Sequence, residues 1–291
     1  MPTAVRRGLD PASVVAKSNH GSLEALELDL LLEAVYRRYG YDFREYAHAS
    51  LKRRVMNVVR AEKLETISGL LEQVLHDPAC MERFLLALSV NVTSMFRDPH
   101  FFLTFRKKVV PLLRTYPFVR IWHAGCSTGE EVYSMAILLQ EEGLYEKCRI
   151  YATDMNESVL RRAREGIVPL DAAESYAVNY KKAGGVRALP EYYTSAYGNA
   201  LFRASLRQNV VFSQHNLALD GSFNAFNVIL CRNVMIYFRK PLQERVHNLL
   251  YDSLDMFGIL GLGGKESLQF TSHERDYVQL EVGTKLYRRI H

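Results

Sequence analysis

Gly125-Cys-Ser-Thr-Gly129 separates an apolar run from a helix-like one that opens with Glu130-Glu131. A glycine-rich turn between a first strand and a helix is where nucleotides bind in open α/β sheets. The spacing here is G-x-x-x-G rather than the G-x-G-x-x-G of dinucleotide sites. A pyrophosphate seeks the bare positive end of a helix, and two carboxylates placed there would repel it. The same carboxylates would attract a cation. S-adenosylmethionine meets that condition, since it has no phosphate and carries a sulfonium and an ammonium. About 25 residues beyond Gly129, Asp154 ends a second apolar run. An acid in that place typically binds ribose hydroxyls. Dipole-matched carboxylates at an ordinary helix start would explain Glu130 and Glu131 as well; Asp154 tips the balance toward a nucleoside ligand.

Two further strings follow apolar runs. Asn216-Leu217 comes after Val210-Val211, and Cys231-Arg-Asn-Val-Met-Ile-Tyr-Phe238 comes after Phe226–Leu230. Ligands of open α/β sheets bind beyond the carboxyl ends of the strands. Asn216, Arg232, Asn233 and Tyr237 are therefore placed to meet a cofactor or a substrate. Neither Asn-Pro-Pro-Tyr nor Asp-Pro-Pro-Tyr occurs, which weakens the case for methylating the exocyclic amines of bases.

Positioning these residues requires a sheet. Val119–Ala124, Arg149–Thr153, Phe226–Leu230, Ile259–Leu262 and Thr284–Ile290 read as strands, and 130–140, 157–165 and 241–257 as helices, the last with Pro241 in its first turn. This alternation predicts a doubly wound α/β sheet. It fails over 168–209, a stretch rich in Tyr, Ala, Arg and Gly, which reads as an insertion with some strand content. From about residue 22 to 89 the pattern is helical throughout. Leu28, Leu31, Leu32, Val35 and Tyr39 make one stripe, Leu51, Val55 and Val58 a second, and Leu70, Leu71 and Val74 a third.

The chain of 291 residues is 48% hydrophobic and 24% charged, a globular composition of about two domains. It has no apolar run of the roughly 18 residues that span a bilayer. Residues 1–22 hold Arg6 and Arg7 without an apolar core after them, so they read as a disordered leader and not a signal peptide. Cys80, Cys126, Cys148 and Cys231 are scattered without metal-ligand or redox spacing, which predicts no metal and a reducing cytoplasmic setting. A net charge of +5 permits an acidic partner without pointing to nucleic acid.

Ala124-Gly-Cys-Ser-Thr-Gly-Glu-Glu-Val-Tyr-Ser134, Ala152-Thr-Asp154, Leu230-Cys-Arg-Asn-Val-Met-Ile-Tyr-Phe238 and Asn91-Val-Thr-Ser-Met-Phe-Arg-Asp98 together resemble the CheR-type chemoreceptor methyltransferases. The resemblance runs from about residue 23 to the C-terminus. It implies an all-α N-terminal domain at 23–90 and a linker or cofactor lid at 91–106. It further implies a Rossmann-like class I methyltransferase domain at 107–291, with a small β-subdomain inserted at about 168–209. The activity implied is methyl transfer from S-adenosylmethionine to receptor glutamates, with S-adenosylhomocysteine as the product. Carried over by position, the cofactor contacts are Asn91, Thr93, Arg97, Glu131, Asp154, Asn216, Leu217, Arg232 and Asn233, beside the turn glycines Gly125 and Gly129. The family usually has a Pro-Gly-Gly turn before its last long strand; this chain reads Phe257-Gly-Ile-Leu-Gly-Leu-Gly-Gly264. The residues after Ala183 also depart from the family pattern, which bears on whether a receptor C-terminal tail docks at the β insertion.

A glutamate side chain has a reference pKa of about 4.3, so the nucleophile is ionised at pH 7 and needs no general base. Catalysis then consists of holding the carboxylate against the methyl group and excluding water. Arg97 is expected to orient the carboxylate and Tyr237 to donate a hydrogen bond to it. Arg53 and Arg60 lie seven residues apart on the helix face opposite Leu51, Val55 and Val58, with Arg54 nearer the apolar edge. Such a stripe is either a solvated face or, as the family implies, the dock for the acidic helices of a receptor's cytoplasmic domain. A methyltransferase of RNA or of a small molecule, and a non-catalytic S-adenosylmethionine-binding regulator, are the rival readings. Aromatic-basic interleaving for RNA is missing, and Arg97, Asp154 and Tyr237, whose loss would mark a regulator, are all present. A monomer is expected.

Overall fold

A computed structural model of the chain describes residues 20–89 and 93–291. The described residues divide into two compact units, one of 20–44 with 48–87 and one of 45–47 with 88–89 and 93–291. The expected leader lies outside the described residues as far as residue 19, and so does Asn91.

The first unit is helical. α1 (His20–Tyr39), α2 (His48–Ala61), α3 (Ile67–His76) and α4 (Pro78–Leu88) follow one another. The three apolar stripes form its core. Leu28, Leu31, Leu32, Val35, Leu51, Val55, Val58, Leu70 and Val74 are all buried. Thr66 caps α3 by accepting the Gly69 amide.

The second unit begins with α5 (Pro99–Thr104), a π turn (Phe105–Val109) and α6 (Val110–Leu113). The segment read from the sequence as a linker or cofactor lid, 91–106, contributes core side chains over its described part. Phe96, Phe101, Phe102 and Phe105 are buried in the main core of this unit, and aromatic burial on that scale makes the segment structural. β1 (Val119–Ala124), α7 (Glu130–Glu141), β2 (Cys148–Asp154), α8 (Glu157–Glu165), β3 (Ile167–Pro169) and α9 (Leu170–Lys182) come next. β4 (Tyr193–Ala196), β5 (Asn199–Phe202), β6 (Val210–Gln214), β7 (Phe226–Cys231), α10 (Lys240–Ser253), β8 (Leu254–Leu262), β9 (Tyr277–Gln279) and β10 (Leu286–Arg289) complete it. The large sheet has the order β6-β2-β1-β7-β8-β10-β9. Its strands are parallel from β6 to β8, and β10 runs antiparallel to both of its neighbours, β8 and β9. The chain reverses its direction of winding between β1 and β7, which is the place where a doubly wound sheet opens a crevice.

The insertion is a three-stranded sheet, β3-β5-β4, joined to a helix that the sequence reading missed. In α9 the buried stripe is Tyr176, Tyr180 and, just past its end, Ala183. Tyrosines carry the helical period there, so the usual Leu/Val signal is absent. Glu141, at the end of α7, fixes this helix: its buried carboxylate accepts from the hydroxyls of Tyr180 and Tyr192 and pairs with Arg106. The helix expected over 241–257 also stops short, at Ser253. Leu254 and Phe257 continue its apolar spacing, yet Leu254 pairs with Phe226 as the start of β8, and Phe257 has φ of 65°.

Candidate cofactor and acceptor site

The parallel strands β1, β2, β7 and β8 end on one side of the sheet, and each delivers a polar loop there. After β1, Gly125 turns with φ of 78°, and a side chain at that position would meet Val234 Cγ2 at 2.6 Å. The Gly125 and Cys126 amides both donate to the Thr153 carbonyl at 2.8 Å. At the end of β2, Asp154 reaches across to the same turn. Its Oδ2 accepts from the Ser127 amide at 3.0 Å and its Oδ1 from the Asn156 amide at 3.0 Å. The carboxylate is thereby oriented at the mouth of the Gly125–Gly129 turn. Burial raises its pKa above the ordinary aspartate value, with the amides of Asn156 and Ser127 working against the rise.

The two glutamates that open α7 part company. Glu130 turns inward, buried, and its Oε2 accepts from the Thr128 hydroxyl at 2.7 Å. Burial raises its pKa. The expectation that both carboxylates face a cation is therefore corrected: Glu130 serves the turn itself. Glu131 alone remains, and both of its oxygens have protein partners. Oε2 meets Arg232 Nη1 at 2.7 Å and Oε1 meets His123 Nδ1 at 3.0 Å. Burial would raise this carboxyl, but the charge of Arg232 and the contact with His123 outweigh it and hold it at about 2.

Arg232, directly after β7, is enclosed, with its side chain 1% exposed. Besides Glu131 it donates to Asp98 Oδ2 at 2.8 Å and to the Arg97 carbonyl at 3.2 Å, and its guanidinium lies 4.0 Å from the Phe101 ring centre. A buried guanidinium flanked by two carboxylates is neutralised in place. Asn233 follows with φ of 61°. Its amide and those of Val234 and Met235 all donate to the carboxylate of Glu266, at 2.9, 2.9 and 2.8 Å, and the Gly263 amide adds a fourth bond at 2.6 Å. A side chain at Gly263 would meet the Asn233 amide nitrogen and Glu266 Oε2 at 2.7 Å, which is why a glycine follows β8. Tyr237 is half-buried; its carbonyl accepts from the Ala47 amide at 2.8 Å.

Phe96, Asp98, Ser127 and Asn233 all adopt positive φ. Non-glycine residues held there cost of order 1–3 kcal/mol each and gather at ligand sites. Asn216 is half-buried after β6, its side-chain carbonyl accepting from the Ala218 amide at 3.0 Å, and Leu217 is buried. Thr93 and Arg97 are half-buried. Arg53 and Arg60 are exposed on α2 and Arg54 half-buried, while Leu51, Val55, Val58 and Val59 are buried.

Sequence reasoning missed His123, Asp98 and Glu266. Each had a local signal: a histidine inside an apolar strand, an aspartate immediately before Pro99, and a glutamate just after a Gly-Gly pair. The described residues contain no cluster of three or more metal-ligating side chains, and no helix long and apolar enough to cross a membrane.

Comparison with known proteins gives a consistent result. The family model described as the CheR methyltransferase SAM-binding domain matches residues 91–284, and that described as the CheR methyltransferase all-alpha domain matches residues 26–89. A Pseudomonas putida protein bearing the name methyltransferase Cher3 is 49% identical over 264 residues, 91% of this chain and 97% of that one. A chemotaxis protein methyltransferase of Listeria innocua is 29% identical over 253 residues, 84% and 91% of the two chains. Chemotaxis protein methyltransferase 2 of Pseudomonas aeruginosa is 32% identical over 248 residues, 83% and 86%.

Proposed function

The chain belongs to the CheR methyltransferase family, and from that premise we propose that it methylates glutamate side chains of chemoreceptors, forming methyl esters. S-adenosylmethionine-dependent methylation in chemotaxis is the coarser activity that family membership carries. The observation that carries the site reading is Asp154, its carboxylate oriented by two backbone amides at the Gly125–Gly129 turn.

The residues present fit S-adenosylmethionine. Gly125 and Gly129 keep the turn free of side chains, Asp154 offers carboxylate lone pairs suited to ribose hydroxyls, and Glu131 stays ionised to face a cation. Thr93, Arg97, Asn216, Leu217, Arg232 and Asn233 would complete the contacts, with Asn91 outside the described residues. When bound, the cofactor supplies an electrophilic methyl group on a sulfonium.

The protein's own part is positioning. The acceptor glutamate arrives ionised, so no side chain removes a proton. Arg232 pairs with Glu131 and Asp98; Arg97 is assigned to orient the acceptor carboxylate and the Tyr237 hydroxyl to donate a hydrogen bond to it. Exposed Arg53 and Arg60, with Arg54 beside them, would dock an acidic receptor helix, and the β3-β5-β4 sheet would take a receptor tail where one exists.

The test is incubation with methyl-labelled S-adenosylmethionine and the cytoplasmic domain of a chemoreceptor. Label should enter that domain, and should not enter a version in which its acceptor glutamates are alanine. Equal labelling of the two would contradict the proposal.

A further inference from the structure

We propose that His123 is a positioning residue of this site, holding the Glu131 carboxylate in place through its Nδ1–H; the proposal rests on the reading of the site as the S-adenosylmethionine site. His123 lies near the end of β1, paired with Ala152 of β2 on one side and Leu230 of β7 on the other. Its side chain is 1% exposed in an otherwise apolar stretch of strand. A polar ring so placed costs free energy unless it is hydrogen-bonded.

The ring has one bond among the described residues, Nδ1 to Glu131 Oε1 at 3.0 Å, and its Nε2 is buried with no partner. That asymmetry places a proton. With the proton on Nδ1, the donor faces the carboxylate and Nε2 carries only a lone pair. The other tautomer would set a lone pair against the carboxylate and bury an N–H without an acceptor. Buried unsatisfied donors are the costly case. The geometry therefore puts a proton on Nδ1, donated to the carboxylate.

What this bond does follows from the rest of the chain of contacts. Glu131 is gripped at Oε2 by Arg232, and Arg232 is itself gripped by Asp98, the Arg97 carbonyl and the Phe101 ring. Without His123, the Glu131 carboxylate would keep its charge and its ion pair but could swing about that single attachment. The side chain is 20% exposed, so its open edge is what a cationic ligand group meets. His123 therefore acts on the direction of the carboxylate, through Glu131 rather than on the ligand.

Asparagine and leucine separate this role from simple packing. The amide nitrogen of His123→Asn falls near the place of Nδ1 and keeps a donor there; His123→Leu keeps comparable volume and removes it. The experiment is calorimetric titration of the full-length variants with S-adenosylhomocysteine, alongside KM and kcat for methyl transfer and thermal melting. His123→Leu should raise the dissociation constant and KM about 10-fold, or about 1.4 kcal/mol, with kcat within about 2-fold of wild type. His123→Asn should restore binding to within about 3-fold of wild type. Nitrogen NMR of the wild-type ring should show a proton on Nδ1. Wild-type affinity in a folded His123→Leu, or equal weakening in His123→Asn, overturns the proposal. Should His123→Leu fail to fold, His123→Gln replaces it, since its longer amide reaches the Nε2 position and not Nδ1: weak binding there beside recovery in His123→Asn supports the role, and equal affinities overturn it. If wild type binds no S-adenosylhomocysteine, the site reading falls and this proposal with it; wild-type binding with an unaffected His123→Leu removes this proposal alone.

Discussion

Arg232 and Glu131, 101 positions apart in the chain, meet at 2.7 Å in an ion pair whose guanidinium is almost wholly enclosed. The pair ties the loop after β7 to the first turn of α7. Its other contacts, to Asp98 and His123, bring in the start of α5 and the end of β1. Four segments of the site thus meet at this ion pair.

Removing one partner of a buried pair leaves a charge uncompensated. Arg232→Leu should lower the free energy of unfolding by about 3–5 kcal/mol, whereas replacing both residues by leucine should recover much of that loss. Urea denaturation of the single and double variants checks this; a mild single variant would mean that Arg232 is better solvated than its burial implies.

The same pair has an acid signature. Glu131 is held at about 2, below its ordinary 4.5. A depressed folded pKa gives stability that is fully present above the unfolded value and is lost as pH falls from about 4.5 toward 2. Glu131→Gln should flatten that limb of the stability curve while lowering stability at pH 7. An acid limb identical to wild type would assign the titration to other carboxylates.

Asp154→Ala should weaken S-adenosylhomocysteine binding by about 1.5–3 kcal/mol, the range for hydrogen bonds to a charged group. Because burial raises the Asp154 pKa, wild-type affinity should begin to fall at a pH above the ordinary aspartate value, as the acceptor becomes protonated. Calorimetry across acidic pH tests both parts; unchanged affinity in Asp154→Ala would show that the ribose binds elsewhere.

The helical unit and the parallel strands were legible in sequence because their signals are local. Leu28, Leu31, Leu32 and Val35 repeat at helical spacing, and Val119–Ala124 and Phe226–Leu230 are short apolar runs closed by polar loops. α9 was not legible because Tyr176 and Tyr180 carry its stripe, and the end of α10 was not because Leu254 satisfies two patterns at once. Around the candidate site, type and place were enough to put Gly125, Gly129, Glu131, Asp154, Arg232 and Asn233 at the strand ends and in the loops and turns that follow them. They were not enough to name their partners. That Arg232 pairs with Glu131 and Asp98, and that Glu266 gathers the amides of Asn233, Val234 and Met235, depends on contacts across more than 30 residues, which spacing does not encode.

Glu266→Ala should remove the acceptor of four backbone amides and cost about 3 kcal/mol. It should also weaken S-adenosylhomocysteine binding, since Asn233 follows from that cradle. Glu266→Gln should retain part of both. Chemical denaturation and calorimetry on the two variants decide the matter, and near-wild-type stability in the alanine variant would mean that water replaces the carboxylate at little cost.

Tyr237→Phe and Arg97→Ala should depress kcat more than cofactor affinity, because both groups are assigned to the acceptor carboxylate. Wild-type turnover in both would contradict that assignment.

Arg53→Glu/Arg60→Glu should slow receptor methylation at low salt, mainly through the association rate, with S-adenosylhomocysteine affinity unchanged. Either single change should be mild, since exposed pairs contribute about 0–1 kcal/mol. Normal methylation by the double variant would make the stripe a solvated helix face.

The most direct measurement bears on the acceptor itself. Receptor cytoplasmic domain labelled by this protein from methyl-labelled S-adenosylmethionine is treated with mild alkali, and the volatile fraction is counted. A carboxylate acceptor gives a methyl ester, so the account predicts that the label leaves as methanol. Label that stays on the protein through alkali would place the methyl group on nitrogen or another alkali-stable atom, and would contradict glutamate methylation.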